Sequence, residues 1–298
     1  MVLTILLSVL GVTAALFVTT LCWRVLRVRV GPSAEAIAFS AVLTFFDALG
    51  IGNYAPTAAY LKFRKLTPDE LIPATLLVGY ATGTATEAFA FITSVQVDPA
   101  LLGASIVASV IGAFIGVSLT AGLPPGPVRL ALGVGLLVAA IIMTLSNLGL
   151  LPPGGTLTAL APGPFVLVVA VSFILGVLMN LGIGNYAPTL VLVSLLGMDP
   201  HAAFPIMMGS AALLMVTSGI KLLKIRPLDL RLILGMAIGG PPAVLVAAFI
   251  VKSLPINQLR WGVVAVVAYA AITMLHAALR PSVAPAEDKR TTVEEPAQ

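Results

Sequence analysis

The nine residues LGIGNYAPT occur twice in the chain, at 49–57 and again 132 residues later at 181–189. The same offset pairs Pro68 with Pro200, which supports a common register for the flanking sequence. A nine-residue identity in such a register is typical of a tandem duplication. The sequence therefore predicts two structural repeats, each of which contains one copy of the motif.

The composition indicates a protein of the lipid bilayer. Of the 298 residues, 59% are apolar and 9% are charged, whereas soluble domains are roughly 25% charged. The net charge of +4 does not indicate nucleic-acid binding, because the basic residues lie in short clusters between apolar runs. Cys22 is the one cysteine in the sequence, which excludes an intrachain disulfide and a cysteine-based metal site.

Seven uninterrupted apolar stretches are long enough to cross about 30 Å of hydrocarbon. They cover residues 2–23, 70–92, 99–121, 127–148, 202–220, 229–252 and 257–279. Two further apolar stretches, 33–62 and 164–196, are each interrupted by one copy of the motif. We expect these two to form re-entrant hairpins of broken helix.

The predicted fold is an all-α polytopic membrane protein built from two repeats of inverted topology. Its parts are an extra N-terminal transmembrane helix with a basic loop (1–30), repeat 1 (31–150), repeat 2 (151–280) and a disordered cytoplasmic tail (281–298). Each repeat holds one hairpin and three spans, and because three is odd the second repeat enters from the opposite side. This topology places fourteen of the sixteen Lys and Arg residues on one face, which the positive-inside rule identifies as cytoplasmic. The N-terminus is then outside and the C-terminus inside.

Each motif is suited to end one half-helix and to begin another inside the membrane. The glycines accept left-handed backbone, the asparagine is a candidate N-cap, and the proline fits the first turn of the outgoing helix. Two helix N-termini near the bilayer midplane would favour a small anion. The candidate substrate-binding residues are Gly50, Gly52, Asn53, Tyr54, Pro56, Thr57, Gly182, Gly184, Asn185, Tyr186, Pro188 and Thr189. A purely structural role, as a device for close helix packing, stays open.

Two acidic residues, Asp47 and Glu87, fall within apolar stretches. Because an ionised carboxylate there costs at least about 2.5 kcal/mol, both are candidates for proton coupling. Structural hydrogen bonding is the alternative for both, and Glu87 is also close enough to the predicted outer end of its span to meet water. No residues show metal-ligand spacing, and no cofactor is expected.

The duplicated GIGNYAP, in two repeats of similar hydropathy, resembles the TauE/SafE family of sulfite and organosulfonate exporters over about residues 33–279. The resemblance implies a permease of the bacterial inner membrane, not an enzyme, that moves a small sulfur-containing anion outward with the proton gradient. It points to the glycine, asparagine and proline positions of both copies.

Several alternatives remain open at this stage. One is an intramembrane enzyme acting on a lipid-linked substrate, which would need the carboxylates of Asp47 and Glu87 within reach of each other. Others are a scaffold protein without a midplane cavity and a permease for a cation or a neutral solute. The expected partners are the small anion and the lipid bilayer, with no nucleic acid. The extra first helix suits a dimer contact and lipid packing equally, which leaves a homodimer open.

Overall fold

The computed structural model describes residues 2–68, 71–119, 125–150, 155–179 and 184–279. Within these ranges it contains twelve α-helices. They are α1 (Val2–Val28), α2 (Ala34–Ala48), α3 (Tyr54–Arg64), α4 (Ile72–Gly79), α5 (Ala81–Ser94), α6 (Pro99–Leu119), α7 (Pro125–Asn147), α8 (Pro162–Met179), α9 (Tyr186–Leu195), α10 (Ala203–Ile225), α11 (Leu230–Ser253) and α12 (Ile256–Leu279). The predicted all-α class is confirmed. The expected tail, 281–298, lies outside the described residues.

Seven segments of the described chain are helical, long enough and apolar enough to cross a membrane. They are Val2–Val28, Pro99–Gly116, Arg129–Asn147, Pro162–Met179, Pro200–Ile225, Leu230–Val251 and Asn257–Leu279. Six of them match spans expected from the sequence, whereas Pro162–Met179 belongs to the second interrupted stretch. Its 18 residues measure about 27 Å as a helix, so α8 by its length is able to cross the bilayer alone. The re-entrant course of this segment therefore stays a prediction.

The expectation of one continuous span over 70–92 is wrong. The chain bends at Tyr80, between the end of α4 and the beginning of α5. Gly79 packs so closely on α11 that a Cβ at this position would lie 2.6 Å from the Met236 side chain. A glycine in a helix weakens it locally, and the bend occurs beside this contact. The bend places the fully buried Tyr80 side chain inside the helical assembly.

α10 lies at the centre, and other helices pack around it. Its apolar segment is 61% buried inside the protein. The peripheral helices carry large apolar side chains that face outward, among them Phe114, Phe249 and Ile272 at 62%, 75% and 62% exposure. Such an apolar exterior would associate in water and is suited to contact with lipid tails. The protein is accordingly a multi-pass membrane protein.

Helix packing between the repeats follows a reciprocal pattern. α2 packs along α11, and α6 packs along α8; under the duplication α2 corresponds to α8, and α11 to α6. α5 packs on its counterpart α10, and α7 on its counterpart α12. Glycines allow the close crossings: a Cβ at Gly176 would overlap the Ser109 carbonyl on α6, and one at Gly239 would overlap the Ile37 carbonyl on α2. A twofold relation between the repeats requires such an exchange of partners.

Candidate functional site

The first copy of the motif ends α2 with a glycine-dependent turn. Gly50 has φ +92 and Gly52 has φ +86, both in the left-handed region. The N–H of Ile51 donates to the carbonyl of Phe46 at 3.2 Å, which is the hydrogen bond of a Schellman C-cap. L side chains rarely adopt these φ values, so the turn favours glycine at both positions. The predicted helix break at the first copy is confirmed.

α3 begins at Tyr54, directly after Asn53, and Pro56 lies in its first turn as expected. The N–H of Thr57 donates to the Asn53 carbonyl at 3.0 Å. The Asn53 side chain, however, does not cap the helix, because its backbone has helical values of φ −100 and ψ −15 instead of the extended conformation of a capping residue. Its Nδ2 and Oδ1 atoms are buried and have no hydrogen-bond partner among the described residues. Leaving such groups unpaired is costly, which marks Asn53 as a ligand candidate.

Asp47 binds the backbone N–H of Asn53 itself, the residue that precedes α3. Its Oδ1 accepts a hydrogen bond from the backbone N–H of Asn53 at 3.0 Å, and the residue is 4% exposed. A negative charge is stabilised at a helix N-terminus. The carboxylate of Asp47 therefore already lies where α3 would attract an anion.

The second copy is described from Gly184 onward, so Gly182 lies outside the described residues. Asn185 precedes α9 and again makes no side-chain cap. Its Nδ2 donates instead to the carbonyl of Met207 on α10 at 3.3 Å. The N–H of Thr189 donates to the Asn185 carbonyl at 3.1 Å, and Pro188 lies in the first turn. Both asparagines thus occupy the predicted positions, but the predicted side-chain capping is wrong for both.

The two copies approach each other at α10. A Cβ at Gly50 would lie 3.3 Å from Leu190 Cδ1 and 3.9 Å from Met207 Cε. Asn185, in the second copy, binds the carbonyl of the same Met207. Residues from both repeats therefore meet around one residue of the central helix.

Glu87 connects the repeats by a direct hydrogen bond. The Tyr186 hydroxyl, from the second motif, donates to Glu87 Oε2 at 3.1 Å. Glu87 is fully buried, and its Oε1 has no hydrogen-bond partner among the described residues. The alternative in which Glu87 meets water at the end of its span is therefore wrong.

Asp47 and Glu87 are close enough to interact electrostatically, and Asp47 also interacts with Tyr186. Their described hydrogen bonds go to different partners, the Asn53 N–H for Asp47 and the Tyr186 hydroxyl for Glu87. The structure thus brings together two acids that lie 40 positions apart in the sequence. Both are available to hold a proton inside one polar cluster.

Tyr80 is a member of this cluster that the sequence analysis missed. Its hydroxyl lies 2.6 Å from Thr57 Oγ1, and both residues are fully buried. Because the Thr57 hydroxyl proton is used in a 2.6 Å bond to the Asn53 carbonyl, Tyr80 is the donor to Thr57. Tyr80, Thr84 and Glu87 are spaced four and three residues apart, so they lie on one face of the α4–α5 segment. A tyrosine beside a Gly-Thr run in an apolar stretch was the available signal.

The other predicted residues differ in burial. Tyr54 is 42% exposed, Pro56 and Pro188 are half-buried, and Thr189 is buried. A cavity of about 400 Å³ lies between α2, the first motif and α12, and Ile51, Gly52 and Pro56 form part of its largely apolar wall. A second cavity, of about 590 Å³, lies at the α5–α6 junction and is lined by neither motif in the described residues.

The cluster provides hydroxyl, amide and carboxyl groups in a buried setting. Within the described ranges, no three His, Cys, Asp or Glu side chains come together as a metal site requires. The unpartnered Asn53 amide and the two helix N-termini offer hydrogen bonds to a small polar ligand, and the acids can exchange protons with it.

A family model described as "Sulfite exporter TauE/SafE" matches residues 37–274, which covers both repeats. No curated protein and no solved structure matches the chain. The match extends over more than half of the sequence and includes both copies of the motif and both buried acids. On this evidence the chain belongs to the sulfite exporter TauE/SafE family.

Proposed function

We propose that the protein is a secondary transporter that exports a small anion, sulfite or an organosulfonate, across the bacterial inner membrane. The family is one of membrane transporters of sulfur anions. The observation that carries the proposal is the meeting of the two motif copies at Met207 in a multi-pass helical protein. Helix N-termini with a buried, unpartnered amide favour an oxyanion, because they donate hydrogen bonds and carry partial positive charge.

In this proposal the repeats have inverted topology and the broken segments are re-entrant hairpins whose tips meet at the midplane. The reciprocal packing of α2 on α11 and of α6 on α8 supports a twofold relation. The inversion rests on three membrane crossings per repeat, which is the count that the sequence predicts. Access to the site alternates as one repeat moves against the other. The basic residues favour an N-terminus outside the cell and a C-terminus in the cytoplasm.

The proposed substrate site consists of the motif residues of both copies. They are Gly50, Gly52, Asn53, Tyr54, Pro56, Thr57, Gly182, Gly184, Asn185, Tyr186, Pro188 and Thr189. Asp47 and Glu87 are the proposed proton-coupling residues, since both are buried and both hydrogen-bond to motif residues.

An intramembrane enzyme is the alternative that one observation favours, namely the electrostatic contact between Asp47 and Glu87. Two buried acids that influence each other electrostatically suit general acid–base chemistry. Transport remains the better proposal because the cluster joins two copies of a duplicated motif, which a single catalytic site does not require.

Flux of ³⁵S-sulfite from proteoliposomes that contain the purified protein tests the proposal. Asn53→Ala should lower the initial rate more than about tenfold, because a hydrogen bond to a charged ligand contributes about 1.5–3 kcal/mol. Asn257→Ala, at the exposed beginning of α12, is the matched control and should retain the wild-type rate.

Unchanged sulfite flux in Asn53→Ala would remove the motif from the substrate site. Flux of a cation or a neutral solute, with none of sulfite or an organosulfonate, would support the permease of different specificity. Hydrolysis of a lipid-linked substrate that depends on both acids would support the enzyme.

A further inference from the structure

The backbone N–H of Asn53, at the beginning of α3, is already bound by an acidic side chain of the protein itself. The Asp47 carboxylate accepts the Asn53 N–H at 3.0 Å, at the point where the helix would otherwise bind an anion. A substrate anion at the same N–H would therefore have to displace this carboxylate.

Two buried groups beside it are left without partners. The Asn53 amide is 1% exposed and lacks hydrogen bonds at both Nδ2 and Oδ1 among the described residues, and Glu87 Oε1 lacks one as well. Asn53 directly precedes α3, so its amide is at the helix end that Asp47 occupies. At the beginning of α3, the Asn53 N–H is therefore bound by the protein, whereas the Asn53 amide has no partner among the described residues.

Four groups that interact electrostatically with Asp47 are Tyr54 on α3, Tyr80 at the α4–α5 bend, Glu87 on α5 and Tyr186 on α9, and none of them is basic. Lys62 and Arg64 lie in the last turn of α3, at the opposite end of this helix from Asn53. α11 packs along α2, and its charged Asp229 and Arg231 belong to the segment beside Ser33, at the opposite end of α2 from Asp47. An anion added to this cluster would meet two carboxyl groups unless a proton accompanied it.

The geometry points to Asp47 as an internal competitor for the substrate, so that the anion and a proton bind together. The proton comes from solvent and forms an O–H bond on the Asp47 carboxyl, which then releases the Asn53 N–H to an oxygen of the anion. The net charge of the site is unchanged, which avoids adding an uncompensated charge to the membrane interior. This inference rests on the proposed function and adds the sign of its coupling: loading of the anion takes up a proton. The proton then leaves the cell with the anion, so export is driven by the outward gradient of the anion and not, as the family resemblance implies, by the proton gradient.

Calorimetric titration of the full-length protein in lipid nanodiscs with methanesulfonate tests the inference. Methanesulfonate keeps one negative charge throughout the working range, so any pH dependence belongs to the protein. The Kd should fall as the pH falls, by up to about tenfold per pH unit when one proton accompanies each anion. Titrations in two buffers of different ionisation enthalpy count the protons taken up, and this count should approach one in the wild type.

Asp47→Asn retains an oxygen that can accept the Asn53 N–H but cannot ionise. In Asp47→Asn, we expect the Kd for methanesulfonate to lose most of its pH dependence and the number of protons taken up to fall. Any pH dependence that remains is assigned to Glu87 and should disappear in the double variant Asp47→Asn, Glu87→Gln. Asp229→Asn is the matched control, because Asp229 caps α11 through the N–H of Arg231 at 2.8 Å. The control should keep the wild-type slope and proton count.

A wild-type Kd that is independent of pH, or anion binding that releases protons, overturns the inference and leaves the proposed function standing. A wild-type slope in Asp47→Asn also overturns it. If Asp47→Asn does not fold, the wild-type proton count still decides. If sulfite binds and methanesulfonate does not, the count is taken with sulfite after subtraction of the ionisation of sulfite itself. Binding of neither anion overturns both the proposed function and the inference.

Discussion

Gly52 and Gly262 both have open space around them, but their backbones differ. Gly52 has φ +86, in the left-handed region, whereas Gly262 lies inside the helix α12. At both positions no heavy atom lies within 4 Å of where a Cβ would be. Alanine substitution therefore separates backbone strain from packing.

The expected magnitudes follow from two opposing effects. An L residue in the left-handed region costs about 1–2 kcal/mol, and replacement of glycine by alanine gains about 0.4–1 kcal/mol by restricting the unfolded chain. Gly262→Ala should be stabilising by that gain alone. Gly52→Ala carries the strain in addition, so its free energy of unfolding should be lower than that of Gly262→Ala by about 1–2 kcal/mol.

The measurement is reversible unfolding in mixed detergent micelles, titrated with dodecyl sulfate and followed by far-ultraviolet circular dichroism. The double variant should show the sum of the two single effects, provided that the positions are independent. Equal unfolding free energies for Gly52→Ala and Gly262→Ala would refute the left-handed backbone at Gly52.

Two further predictions concern helix packing and surface charge. Gly176→Ala should destabilise the protein by about 1–3 kcal/mol or more, because the new Cβ would overlap the Ser109 carbonyl. The control Gly135→Ala has open space around the new Cβ and should not be destabilised. Equal unfolding free energies of the two variants would contradict the close α6–α8 crossing. The hydrogen bond from Arg64 lowers the pKa of Glu35 below its usual 4.5, at the beginning of α2 and outside the seven candidate spans. The stabilisation by this ion pair is therefore present above pH 4.5 and is lost as the pH falls through the lower pKa of the folded state. Glu35→Gln should be less stable than the wild type at neutral pH, but equally stable below the folded-state pKa. A stability difference that persists in acid would contradict the ion pair.

The helix break was predictable because its causes are local. Gly50 and Gly52 can adopt positive φ, and Pro56 has the fixed φ of a first helical turn. Each of these preferences is a property of the residue and its immediate neighbours. The membrane location was predictable for a related reason, since transfer into lipid depends on composition summed along each stretch.

The asparagine caps were not predictable from residue type. An N-cap residue needs extended backbone for its side chain to reach the first turn, whereas the backbones of Asn53 and Asn185 are helical. The N–H of Asn53, at the beginning of α3, is instead bound by Asp47. Residue type alone does not select this side chain among the possible acceptors nearby.

The sequence by itself determined a duplicated, all-helical membrane protein with a break in each repeat, because apolar runs, glycine and proline act over a few residues. Only the tertiary structure decided that Tyr186 binds Glu87, 99 residues away, and that Tyr80 binds Thr57. It also decided that the Asn185 amide binds the Met207 carbonyl, whereas the Asn53 amide has no partner among the described residues. These features depend on which helices pack together, and the packing free energy of distant segments is not contained in any local stretch of the chain.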